Sequence, residues 1–90
     1  MTDVLLPILN EPTLFIFWCE GCGYCHHVDT TRWKWNGSLS KPTVTPSLLL
    51  HEGTSHPRCH LFITDGQIRY LNDCGHDLAG QTVSMTEPLE

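Results

Sequence analysis

The chain has 90 residues, 40% hydrophobic and 17% charged, which is one small domain over residues 1–90, short enough to need a staple. Ten acidic residues against five basic ones leave a formal charge of −5, a poor balance for gripping a phosphate backbone, so no nucleic-acid partner is expected. No apolar run approaches the roughly 20 residues of a membrane helix, and Met1-Thr2-Asp3 lacks the basic flank of a signal peptide; a cytoplasmic protein without membrane contact is expected.

Six prolines and seven glycines interrupt the chain, helical periodicity is missing, and there is no repeat or linker. The first strand is predicted over Leu14 to Trp18. It leads into Phe17-Trp18-Cys19-Glu20-Gly21-Cys22-Gly23, a Cys-x2-Cys-Gly knuckle of the kind found in zinc ribbons. The two-residue gap lets both thiolates converge on one ion, and glycine permits the tight turn. Arg32 to Trp35 alternates with period two, placing both indoles on one side and the cations in solvent, and Asn36-Gly37 turns the chain. Further strands are predicted over Thr43 to Leu50, His60 to Thr64, Gln67 to Leu71 and Thr82 to Met85. Asp65-Gly66 joins two of them as a two-residue type I′ hairpin that pairs Thr64 with Gln67. Asp77 to Gly80 reads as a single helical turn. The fold class is mainly β: a small antiparallel β domain with a zinc-ribbon-like knuckle.

Five cysteines in a reducing compartment point to metal or reactive thiols rather than disulfides. Cys59 and Cys74 flank the hairpin, whose register puts Cys59 about opposite Asn72. A structural zinc held by Cys19, Cys22, Cys59 and Cys74 would tie the knuckle to the hairpin base. Cys25, His26, His60 and His76 are each chemically able to replace a thiolate. An iron–sulfur spacing lacks the usual Cys-Pro, and a zinc deaminase lacks its His-x-Glu and Pro-Cys-x-x-Cys pair.

Six histidines outnumber the lysines and arginines. His51 and His56 lie in a polar loop and read as solvated, as does His27. An antiparallel pairing centred near residues 54 and 55 sets Ser47 opposite Phe62 and Leu49 opposite His60. Ser47 then lies diagonally from His60 on one face, with Cys59 on the other. A serine becomes a nucleophile when a histidine takes its proton and a third group orients that histidine. Asp73 and His76 are the two candidates for that group, although no Gly-x-Ser-x-Gly elbow marks Ser47.

The ordered set Phe17 to His26, Trp33-Lys34-Trp35-Asn36-Gly37, Lys41 to Leu48, Cys59-His60-Leu61-Phe62, Asp65 to Ile68 and Asp73 to Val83 resembles a small phage and bacterial family. That family is often mislabelled "ammonia monooxygenase" and includes the BubE peptidase of bacterial ubiquitin-like (Bub) operons. The resemblance runs from about Phe17 to Val83. It implies a serine-type peptidase that processes a ubiquitin-like protein or removes it from its target. The family pattern carries onto Ser47, His60 and His76, and it makes His26 an alternative to Cys74 as a metal ligand. Nothing in the chain builds a copper or di-iron oxidation site.

The leading expectation is therefore a hydrolase with Ser47 as nucleophile, His60 as general base, and Asp73 or His76 orienting it. Its protein substrate would lie beside the 43–50 strand. Trp33 and Trp35 are candidate groove walls, although plain core packing accounts for them better. The alternative is a non-catalytic zinc-ribbon module of phage or host-defence origin that binds a protein. A third reading is a metallohydrolase built on His26, His60 and His76.

Overall fold

The computed structural model describes residues 3–50 and 59–88, and its strands form two antiparallel sheets. The first sheet holds β1 (Leu6–Ile8), β2 (Glu11–Cys19) and β3 (Tyr24–Asp29) in that order. The second holds β4 (Lys34–Trp35), β5 (Val44–Leu50), β6 (Cys59–Thr64), β7 (Gln67–Tyr70) and β8 (Thr82–Ser84), also in chain order. Each strand pairs with the next within its sheet, the pattern that short glycine- and proline-marked turns favour. Among the described residues no helix is long and apolar enough to cross a membrane.

The mainly β class is as expected, with differences at particular elements. β1 escapes the sequence pattern because Pro7 interrupts it. Pro7 is tolerated because β1 lies at the edge of its sheet, where a missing N–H need not cost a ladder bond. β3 escapes it because Tyr-Cys-His-His-Val-Asp has a single β-branched residue and no apolar alternation; it forms by pairing along β2, Phe17 opposite His26 and Cys19 opposite Tyr24. The stretch Arg32 to Trp35 is strand only at its last two residues. Asp29 holds the preceding turn: its side chain accepts from the Thr31 amide and hydroxyl, and its carbonyl accepts from Arg32 and Trp33. The alternation survives, with Trp33 and Trp35 half-buried against the core and Arg32 and Lys34 exposed. Residues 77–80 form hydrogen-bonded turns rather than a helix.

The β6–β7 hairpin follows the predicted register, Thr64 opposite Gln67 and Leu61 opposite Tyr70. Both turn residues have positive φ, Asp65 at 49° and Gly66 at 78°, as a type I′ turn requires. β5 pairs with β6 as Leu48 to Leu61, Leu49 to His60 and Leu50 to Cys59, after which the register shifts before Val44 meets Ile63. The irregular stretch contains Pro46, which has no N–H to give to a ladder.

Period-two alternation sends one face of each sheet into a shared core. Phe15, Phe17, Cys19 and Val28 come from the first sheet. Val44, Leu48, Cys59, Leu61, Ile63, Ile68 and Tyr70 come from the second. Two cysteines thus sit among the most deeply buried side chains, at the seam between the sheets.

Candidate functional site

The β2–β3 turn is the Cys-x2-Cys knuckle. The amide of Gly23 closes it on the Cys19 carbonyl at 2.8 Å, and Gly23 takes a φ of 78° that favours glycine. Cys19 ends β2 on the inner face, and His26 of β3 lies two residues past its partner on that same face. Cys59 begins β6 and points inward from the other sheet. The ligand atoms of Cys19, Cys22, His26 and Cys59 consequently lie within 4.8 Å of one another. The knuckle and the hairpin base are joined as the sequence suggests, with His26 in the place that the four-thiolate expectation gave to Cys74.

The Cys19 and Cys59 sulfurs are 3.7 Å apart. A tetrahedral zinc with Zn–S bonds of about 2.3 Å separates its sulfurs by about 3.8 Å, so the spacing fits a metal. The protonation chemistry fits as well. The hydrogen bond from Cys59, with further ones from His26, Tyr70 and the Cys22 backbone, holds the Cys19 thiol down to about 3 against the opposing effect of burial. Burial and the charge on Cys19 push Cys22 up to about 11. Cys59 is pushed up by its bond to Cys19 and by burial. A thiolate on any one of these sulfurs disfavours ionisation of its neighbours, a conflict that a divalent cation would remove.

Two aromatic side chains close over this cluster. The Tyr70 hydroxyl lies 3.3 Å from Cys19 Sγ and accepts the Gly21 amide at 3.0 Å. The His76 ring stands edge-on to Tyr70, with Nε2 3.5 Å from Cys59 Sγ and Nδ1 accepting the Leu78 amide at 3.2 Å. It packs on Gly21 so closely that any side chain there would overlap it. His76 therefore belongs to the thiol side of the molecule, although the sequence made it a candidate to orient His60. Cys74 also lies near Cys59 and His76, but its sulfur bonds the backbone of His60.

The opposite face of β6 carries a different set of groups. Cys59 faces inward, so the next residue, His60, faces outward beside β5. Leu49 is its direct partner; Ser47, two residues earlier, falls in the register break and has no ladder partner, so the expected pairing with Phe62 is not formed, yet its side chain still reaches His60. Ser47 Oγ is 3.0 Å from His60 Nε2. His60 Nδ1 lies 3.1 and 3.2 Å from the two carboxylate oxygens of Asp73, on the turn after β7. An ionised carboxylate only accepts, so Nδ1 carries the proton; in the neutral ring Nε2 then accepts from the Ser47 hydroxyl. The chain Ser47–His60–Asp73 has the connectivity of a serine-hydrolase triad. Of the two orienting candidates, it is Asp73 that reaches His60.

Trp33 donates its indole N–H to the Ser47 carbonyl at 3.3 Å, and Trp35 donates to the Ser38 carbonyl at 2.9 Å. Residues 30–35 line an open groove next to this strand, so the tryptophans pack on the core and border a surface depression at once. Trp33 as an anchor of the serine's own backbone was missed from sequence, since no local pattern links positions 14 residues apart. His51 and His56 lie outside the described residues.

Neither a curated protein nor a solved structure shows significant similarity to the chain. One family model does match, over residues 3–71, and it is described as "Bacterial ubiquitination-like system serine protease (BubE)". The match takes in the knuckle, Ser47 and His60 and ends two residues before Asp73. Covering well over half of the sequence, it shows that the chain belongs to the BubE family of serine proteases of bacterial ubiquitination-like systems.

Proposed function

We propose that the protein is a cytoplasmic serine-type peptidase that processes a ubiquitin-like protein or releases it from its target, on a scaffold stapled by zinc. The observation that carries the reading is the hydrogen-bonded series Ser47–His60–Asp73, assembled from β5, β6 and the turn after β7. His60 takes the Ser47 proton as Oγ attacks the scissile carbonyl carbon, and Asp73 stabilises the imidazolium that forms. His60 then gives that proton to the leaving amine, and the C–N bond breaks to leave an ester on Ser47. Water, deprotonated by His60, hydrolyses the ester and restores the hydroxyl.

Cys19, Cys22, His26 and Cys59 would hold the zinc, and a cage of four protein ligands supplies folding energy rather than a reactive site. The division of labour follows from strand parity: Cys59 serves the metal and His60 the serine from opposite faces of β6.

Metal content measured beside fluorophosphonate labelling tests the proposal, on wild type and on Ser47→Ala and His60→Ala. We expect close to one zinc per chain in all three proteins and labelling of wild type alone. Zinc without labelling of wild type would refute the peptidase assignment in favour of a binding module. Cleavage of a ubiquitin-like protein with a C-terminal extension then identifies the substrate, and an intact extension would reject that part of the proposal.

A further inference from the structure

We infer that Cys74 is a positioning residue for the Ser47–His60–Asp73 series and not a ligand of the thiol cluster; the inference rests on the serine-peptidase reading. Asp73 follows β7 on a short turn, which the Cys74 amide closes on the Leu71 carbonyl at 3.2 Å. The Cys74 sulfur then turns back to His60. It accepts the His60 amide at 3.3 Å and donates to the His60 carbonyl at 3.1 Å, while the Leu71 amide donates to that same carbonyl at 2.9 Å. The residue adjoining Asp73 thus grips the backbone of the residue whose ring Asp73 orients. This bracket sets the distance between the carboxylate and Nδ1.

The donating half of the bracket needs a thiol proton, which a metal-bound thiolate would not have. Cys19, Cys22, His26 and Cys59 already offer the four ligands of a tetrahedral ion, whereas the second group of close ligand atoms, Cys59, Cys74 and His76, offers only three. A misplaced carboxylate costs catalysis without touching the fold, because orientation of a base within a fraction of an ångström governs its efficiency.

Cys74→Ser keeps a donor and an acceptor, whereas Cys74→Ala and the bulkier, apolar Cys74→Val keep neither. Three readouts separate the cases: zinc per chain, hydrogen exchange of the His60 amide, and the rate of fluorophosphonate labelling. We expect wild-type zinc in all three variants. His60 amide protection should be retained in Cys74→Ser and lost in the other two. Labelling should slow by about 10- to 100-fold in Cys74→Ala and Cys74→Val, with Cys74→Ser restoring most of the rate. Loss of zinc from Cys74→Ser would overturn the inference by making Cys74 a ligand. Wild-type labelling in Cys74→Ala, or equal slowing in the serine and alanine variants, would overturn it as well. If Cys74→Ala does not fold, Cys74→Val carries the same comparison. If wild type is not labelled at all, the peptidase reading fails by itself. The His60 amide then decides: protection unchanged in Cys74→Ala overturns the bracket, and protection lost there but kept in Cys74→Ser sustains it.

Discussion

Asp73 bonds only one ring nitrogen of His60, and that asymmetry decides the tautomer. An asparagine there presents an N–H that can favour the other tautomer, with Nε2 protonated and unable to accept from Ser47. Asp73→Asn is expected to lower the labelling rate by as much as about 10⁴-fold while zinc content and circular dichroism stay unchanged. Stopped-flow or gel-based labelling kinetics check this. Gly21 is a second residue whose chemistry is geometric. Its missing side chain is the space occupied by His76, so Gly21→Ala must displace either the ring or the knuckle. We expect a loss of about 1–3 kcal/mol in denaturant unfolding, together with weaker metal binding. The sequence marks Gly21 as a turn glycine; only the packing of a residue 55 positions away shows why a methyl is forbidden.

Elements with strong local chemistry were legible. Asp65-Gly66 between two β-prone runs specifies both turn and register, and the hairpin forms as read. Gly66 combines a φ of 78° with backbone atoms of Ser40 and Lys41 3.2 to 3.3 Å from where a Cβ would lie. Gly66→Ala should therefore cost about 1–2 kcal/mol from the left-handed conformation alone, seen as a lower thermal midpoint. β5 was legible in its extent and in the pairing of Leu49 with His60, and its register break falls on the stretch containing Pro46. β3 was not legible, because its strand character comes from pairing with β2 and not from a pattern of its own. Without that strand, nothing in the local pattern aims His26 inward, although imidazole is chemically able to replace a thiolate.

For the whole molecule, the two sheets share one core, and the cysteine cluster lies where they meet, Cys19, Cys22 and His26 on one side and Cys59 on the other. A metal held there would cross-link the sheets through positions 40 residues apart in sequence. Removing it should expose the core and also release the base of β6, one residue before His60. Chelation is therefore expected to lower the thermal midpoint and abolish labelling over the same range of chelator concentration. A metal that left the fold intact while activity disappeared would instead mark a metallohydrolase. Cys22→Ser should reproduce the chelator's effect without any chelator, with zinc per chain as the measurement.

The amino-acid sequence by itself determined the β class, the knuckle, the hairpin and its register, and the parity that puts Cys59 and His60 on opposite faces of one strand. These follow from local rules: turn chemistry, period-two alternation and ligand spacing. Tertiary structure alone decided the choices between chemically equivalent groups. His26 joined the thiols while Cys74 turned to the His60 backbone, and Asp73 met the His60 ring while His76 packed over Gly21. Each choice depends on how two sheets and a turn meet in space, and no spacing along the chain encodes that meeting.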